Sequence, residues 1–152
     1  MWQALFSTDP GWSGTVLRLA LGIMIFPHGA QKLLGLFGGY GYKGTMGYFT
    51  QSLGIPYAFG VLAILAEFFG GLGLILGLFG RVAALGVGAT LVVAALLAHR
   101  QNGFFMNWTG QQKGEGYEFH LLGAAMAVAI LILGSGAFSV DLALARWLGL
   151  GA

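Results

Sequence analysis

Four apolar stretches of spanning length alternate with two long stretches that mix polar and aromatic residues. The apolar runs predict helices over about 12–34, 57–79, 82–100 and 117–134. Each is near the roughly 20 residues, at about 1.5 Å apiece, that carry a helix across a bilayer. Gly80-Arg81 leaves room only for a tight reversal, so the second and third helices form an antiparallel hairpin. The stretches 35–56 and 101–116 are rich in Gly, Tyr, Phe and Trp. Glycine breaks a spanning helix and aromatic rings suit the headgroup level. Both are therefore predicted as folded loops, the first with a short helix over Lys43–Gln51. Residues 1–11 are too short to span and place Trp2 and Trp12 as belt residues. Gly134-Ser135-Gly136 ends the fourth helix, and Ser139 is placed to cap a last helix over about 140–150 that lies on the membrane. The expected fold is all-α: a single-domain integral membrane four-helix antiparallel bundle over 1–152, with short interfacial helices at the termini.

Composition fixes the class. The chain is 57% hydrophobic and 8% charged, with mean hydropathy +0.82. A soluble domain carries roughly 25% charged residues. The start, Met-Trp-Gln-Ala-Leu-Phe, lacks the basic region of a secretory signal, so no cleavable signal is expected. A net charge of +2 gives no footprint for nucleic acid. Cysteine is absent, which excludes thiolate metal sites and iron–sulfur ligation by this chain.

The first helix breaks the apolar rule. It carries Arg18, His28 and Lys32, and a charge facing lipid at mid-depth costs at least ~2.5–3.5 kcal/mol. At about 100° per residue, Arg18, Gly22, Ile25, Gly29 and Lys32 fall within roughly 40° of one line, with His28 about 80° aside. One face is small and charged, so the bundle has a polar interior. Pro27 is expected to kink this helix.

Alternating spans put the ionisable residues on a common depth scale, with both termini on a side called A. Arg18 then lies roughly 9 Å from A, His28 roughly 24 Å and Lys32 roughly 30 Å. His99, Glu118 and His120 fall in the same layer near the far side, B, together with Arg100. Glu67 starts roughly 15 Å into its helix, near mid-depth, where it either pairs with Arg18 or carries a proton. The candidate ligand-binding set is Arg18, His28, Lys32, Glu67, His99, Glu118 and His120, with His28, His99 and His120 as candidate metal ligands. Each of these has a structural alternative, such as snorkelling or ion pairing.

Arg18, His28-Gly29-Ala30-Gln31-Lys32, Glu67 with Gly70-Gly71-Leu72 and Leu76-Gly77-Leu78 up to Arg81, Tyr117-Glu118, and Gly134-Ser-Gly-Ala-Phe-Ser-Val-Asp141 stand in an order that resembles the DoxX family of small four-helix membrane proteins. The resemblance covers about residues 14–142. Ser135 departs from the Gly-Pro-Gly of that pattern, which is expected to affect only a turn. The resemblance implies a bacterial-type cytoplasmic (inner) membrane, cytoplasmic termini and a link to quinol oxidation in membrane oxidoreductase complexes. A quinone is then the first candidate ligand, ahead of a metal or haem, with His28 or His120 bonding a carbonyl oxygen and Glu67 or Glu118 passing the proton. Partners are the lipid bilayer and other membrane redox subunits; a homo-oligomer stays open. Two other readings compete: a transporter or binding protein for a small molecule or ion, and a non-catalytic assembly scaffold.

Overall fold

The structure, a computed structural model, describes residues 2–150; the side chain of Trp2, and with it the interfacial role expected there, lies outside the described residues. The helices are α1 (Trp2–Phe6), α2 (Trp12–Leu34), α3 (Gly41–Gly47), α4 (Tyr57–Leu76), α5 (Gly80–Ala94), α6 (Glu118–Leu133) and α7 (Val140–Trp147). Among the described residues there is no strand.

The buried face of α2 is Gly14, Arg18, Leu21, Gly22, Ile25 and Gly29, a three-to-four spacing that turns one stripe inward. That stripe lies on α4 at backbone distance. A Cβ on Gly22 would meet the Gly71 carbonyl oxygen at 3.0 Å, and one on Gly29 would meet Phe68 Cα and N at 2.5 Å. Residue numbers rise along α2 as they fall along α4, so the two helices run in opposite directions. The absent side chains let the backbones approach where no hydrophobic drive acts between helices in lipid. Gly70 and Gly73 serve α5 instead, where added Cβ atoms would meet Val87 at 2.9 Å and the Ala83 methyl at 3.4 Å. α5 packs on α6, and α6 returns to α2 at Gly123, beside Leu91, Met24 and Leu21. Leu21, Ile25, Leu74, Val87, Leu91 and Ile130 fill the space between these four helices.

Tyr57–Leu76 (20 residues) and Gly80–Asn102 (23 residues) are long and apolar enough to cross a membrane. α2 joins them if it is counted with its continuation Leu36–Ser52, which bends away by 95°. α6, at 16 residues, is shorter. This gives two to three candidates by length and hydropathy, where the sequence pattern suggested four. The physical reason is that α2 spends its apolar character on Arg18, His28 and Lys32, while α6 is one residue shorter at each end than expected, with Tyr117 held by the preceding loop. The Tyr117 N–H donates to the Gly103 carbonyl at 3.2 Å.

α2 runs through Pro27 as one continuous helix; the sharp turn comes at Gly35, in the left-handed region at φ 74°. Beyond it, α3 and a wide turn over Tyr48–Ser52 fold across the side-B end, a residue or two offset from the short helix expected at Lys43–Gln51. α5 also ends in a wide turn, Ala95–His99. Such turns hold back the rotation of the next residues and are frequent at functional sites. At the other end Ser139 caps α7, accepting from the Leu142 N–H at 3.1 Å. α7 buries Asp141, Leu142 and Ala145 and packs on α1, so it docks on the protein as well as facing outward at Trp147.

Candidate functional site

Two polar clusters occupy opposite ends of these helices. The one on side A is closed. Arg18 is buried, and its guanidinium donates to five carbonyls: Nε to Ser135 at 2.7 Å, Nη1 to Leu74 at 3.1 Å and Ile75 at 2.6 Å, and Nη2 to Ala137 at 3.3 Å and Phe138 at 3.0 Å. Leu74 and Ile75 sit in the last turn of α4, where carbonyls run short of helical partners, although the Leu74 carbonyl also accepts from the Gly77 N–H at 3.2 Å. Asp141 does the converse for α5. Its carboxylate accepts from the Phe79 and Gly80 N–H groups at 2.7 and 2.9 Å, at the helix's positive end, and from the Ser135 hydroxyl at 2.6 Å. Phe79 and Phe138 hold positive φ, and each is tied by one of these bonds, which over-determines a costly conformation. Arg81 acts likewise on α6, donating to Leu131 at 2.9 Å and Ile132 at 3.2 Å.

The expected Arg18–Glu67 pair is therefore corrected. Glu67 bonds Lys32, by a short contact from Nζ to Oε2. The Cα–Cβ bonds of a helix tilt toward its N-terminus, so Lys32 reaches back from the α2 end into the protein. Gly29 brings α2 against Glu67 and Phe68, which puts the carboxylate one turn from Lys32 and several turns from Arg18.

The cluster on side B is open. A cavity of about 540 Å³ lies between α2 and the segment that folds over it, with His28, Lys32, Tyr40, Thr45, Tyr48 and Phe49 among its walls. His28 is exposed there. Gln31 is turned aside, its amide donating to the Phe37 carbonyl at 3.1 Å. The Tyr42 and Tyr57 hydroxyls, 2.7 Å apart, tie the covering segment to the start of α4. Behind Lys32, Glu67 is buried.

Beside this cavity lies a row of rings. Phe119 stands edge-on to His28 at 6.3 Å and to His120 at 5.6 Å, and the His120 ring lies 4.1 Å from that of His99, tilted by 38°. His99 Nδ1 donates to the Glu115 carbonyl at 3.0 Å, which ties the ring to the second loop. His120 is buried, and its Nδ1 finds no partner among the described residues. His120 is close enough to His99, Lys32 and His28 to feel the charge of each. The layer expected near side B thus brings His28, Lys32, His99 and His120 into one neighbourhood, which Glu67, expected below it near mid-depth, joins through Lys32. Glu118 lies at its edge, with Oε1 accepting from the Met106 N–H at 3.0 Å and the Trp108 indole at 3.4 Å, so it closes the loop. Among the described residues no three His, Asp or Glu side chains converge closely enough to hold a metal ion. Phe119 separates His28 from the His99–His120 pair.

Several residues of these clusters gave little sign in the sequence. Ser135 stands where only a turn was expected to change, yet it is fully buried and bonded to both Arg18 and Asp141. Asp141 was visible only as the last residue of the family-like Gly134–Asp141 motif, with no partner assigned. Phe119 looked like one more apolar position. The cavity's Tyr40, Tyr48 and Phe49 belong to the aromatic loop expected to lie over one mouth of the bundle, but nothing in the sequence singled out these rings as cavity walls.

The fold and these buried charges define an all-helical membrane protein with a polar interior. The DoxX family model matches residues 14–100, more than half of the 152-residue chain, and the chain belongs to the DoxX family. The match takes in Arg18, His28, Lys32, Glu67 and His99 and stops before Glu118, His120, Ser135 and Asp141. No curated protein sequence and no solved structure matches the chain.

Proposed function

We propose that the chain crosses a bacterial-type cytoplasmic membrane four times, as an antiparallel bundle with cytoplasmic termini, and binds a quinone headgroup as a subunit of a membrane redox system. The observation that carries this reading is the side-B cavity. Its volume of about 540 Å³ is within the roughly 300–1,000 Å³ of small-molecule sites. Its walls pair apolar and aromatic surface with a few donors, His28, Lys32 and Thr45. A quinone presents a flat apolar ring and two carbonyl acceptors, which need that combination. His28 and Lys32 would bond the carbonyl oxygens, Tyr48 and Phe49 would cover the ring, and Glu67 behind Lys32 would take up or release the proton that accompanies reduction. The electrons would come from another chain.

The test is equilibrium binding of a short-chain benzoquinone to the purified protein in detergent. The reading expects saturable binding, weakened about tenfold or more in His28→Leu, a loss of about 1.4 kcal/mol or more. Absence of saturable binding, or equal affinity in His28→Leu, overturns it.

A further inference from the structure

The Lys32–Glu67 pair is covered unequally. The Lys32 side chain is 28% exposed and forms part of the cavity wall, whereas that of Glu67 is 7% exposed and lies behind it. As a whole the pair is neutral. An uncharged ligand can share the ammonium, which has three N–H donors, and leave the pair intact. An anion cannot, because two negative groups would then face one ammonium where little water reaches. Two carboxylates in one site hold a proton between them, since like charges so close cannot both ionise.

We propose that this cavity also takes a molecule with a carboxylate head and an apolar body, and that each molecule enters together with one proton, bound by Glu67. The balance is simple. The ammonium passes its hydrogen bond from Glu67 Oε2 to the ligand carboxylate, solvent supplies one proton, and an O–H bond forms on Glu67. The site is neutral before and after. Tyr40, Tyr48 and Phe49 receive the apolar body. The other groups facing the pair are His28 on α2, and His120 on α6 with His99 of the turn after α5 tilted against it. His28 is the competing proton acceptor, because it is exposed in the same cavity. This goes beyond the quinone reading and shares its cavity, Lys32 and Glu67; benzoate and benzoquinone titrations tell the failure of one from the failure of the other.

Benzoate is the soluble probe, and laurate in neutral phosphatidylcholine vesicles is the membrane-borne one. Titration calorimetry of the reconstituted protein with benzoate should show affinity rising about tenfold per pH unit as pH falls from about 8 to about 6, the signature of one linked proton. Glu67→Gln should bind benzoate with no pH dependence, and His28→Gln should keep the native slope. The double change Lys32→Gln, Glu67→Gln leaves no buried charge and should still fold, as its melting curve reports, but should not bind. Benzoate binding alone assigns an aqueous ligand, and laurate binding alone assigns one from the bilayer. The proposal is overturned if neither binds, if native affinity is flat with pH, if the slope survives in Glu67→Gln, or if it vanishes in His28→Gln. Benzoquinone binding without benzoate binding rejects this proposal and leaves the quinone reading standing.

Discussion

The two ends of α2 carry cations of the same sign, and the protein treats them in opposite ways. Near the start, Arg18 meets five carbonyls and Asp141 closes the facing helix start, so every strong donor there has an acceptor. Near the end, Lys32 meets one carboxylate, His28 faces a cavity, and His120 keeps a buried nitrogen without a partner. A saturated cluster has nothing left to offer a ligand and holds helices in place. An unsaturated one costs stability and has bonding capacity to give. In a membrane interior, where a lone charge is expensive, the count of satisfied donors separates structure from function better than the presence of charge does.

The largest expected effect is at the closed end. Arg18→Leu strands several buried carbonyls and removes the cation nearest the Asp141 carboxylate, and should cost about 5 kcal/mol or more in detergent unfolding. Arg18→Lys should not rescue it, because three donors on one atom cannot span carbonyls from α4 and the 135–138 turn. A melting temperature near native for either variant would show that side A is not the clamp described here.

Next comes the open end's ion pair. Lys32→Leu alone leaves Glu67 buried without a partner and should cost about 3–5 kcal/mol, whereas adding Glu67→Leu should recover most of that loss. A full double-mutant cycle in thermal unfolding measures this; additive losses would mean that the two side chains do not depend on one another.

A smaller effect is expected at Ser135→Ala, about 1.5–3 kcal/mol for a hydrogen bond to a charged carboxylate. It should leave quinone and benzoate binding unchanged, since Ser135 lies at the other end of the helices. The smallest effect on stability belongs to His120→Leu. Replacing a side chain whose buried nitrogen is unpaired by an apolar one should be neutral or stabilising by up to about 1 kcal/mol. The same change at a bonded position would be costly, so a large destabilisation would show that His120 is held by a partner.

Much of the fold was legible because membrane helices announce themselves by length and hydropathy. The helix limits of α2 could be read from Trp12, which opens the apolar run, and Gly35, which can adopt the left-handed turn that closes it. The convergence of His28, His99 and His120 with Lys32 followed from alternation and depth alone. The partner of Glu67 did not. A depth scale treats each residue as its Cα, and Lys32 moves its charge a full turn back along the helix. Ser135 and Asp141 were hidden for another reason: they lie past α6, in a segment whose return to Gly14 and Gly77 depends on close backbone approach rather than on any periodic pattern. That the first long loop lies over one mouth of the bundle could be read from its Gly-rich aromatic sequence, but which of its rings wall the cavity could not.

The central claim is that ligand chemistry is confined to the unsaturated end. Photolabelling with an azido-substituted short-chain benzoquinone, followed by peptide mapping, tests it directly. The account predicts label within residues 28–49, competed away by unlabelled quinone and much reduced in His28→Leu. Competable label at 134–141 or around Arg18, with none on 28–49, would contradict it.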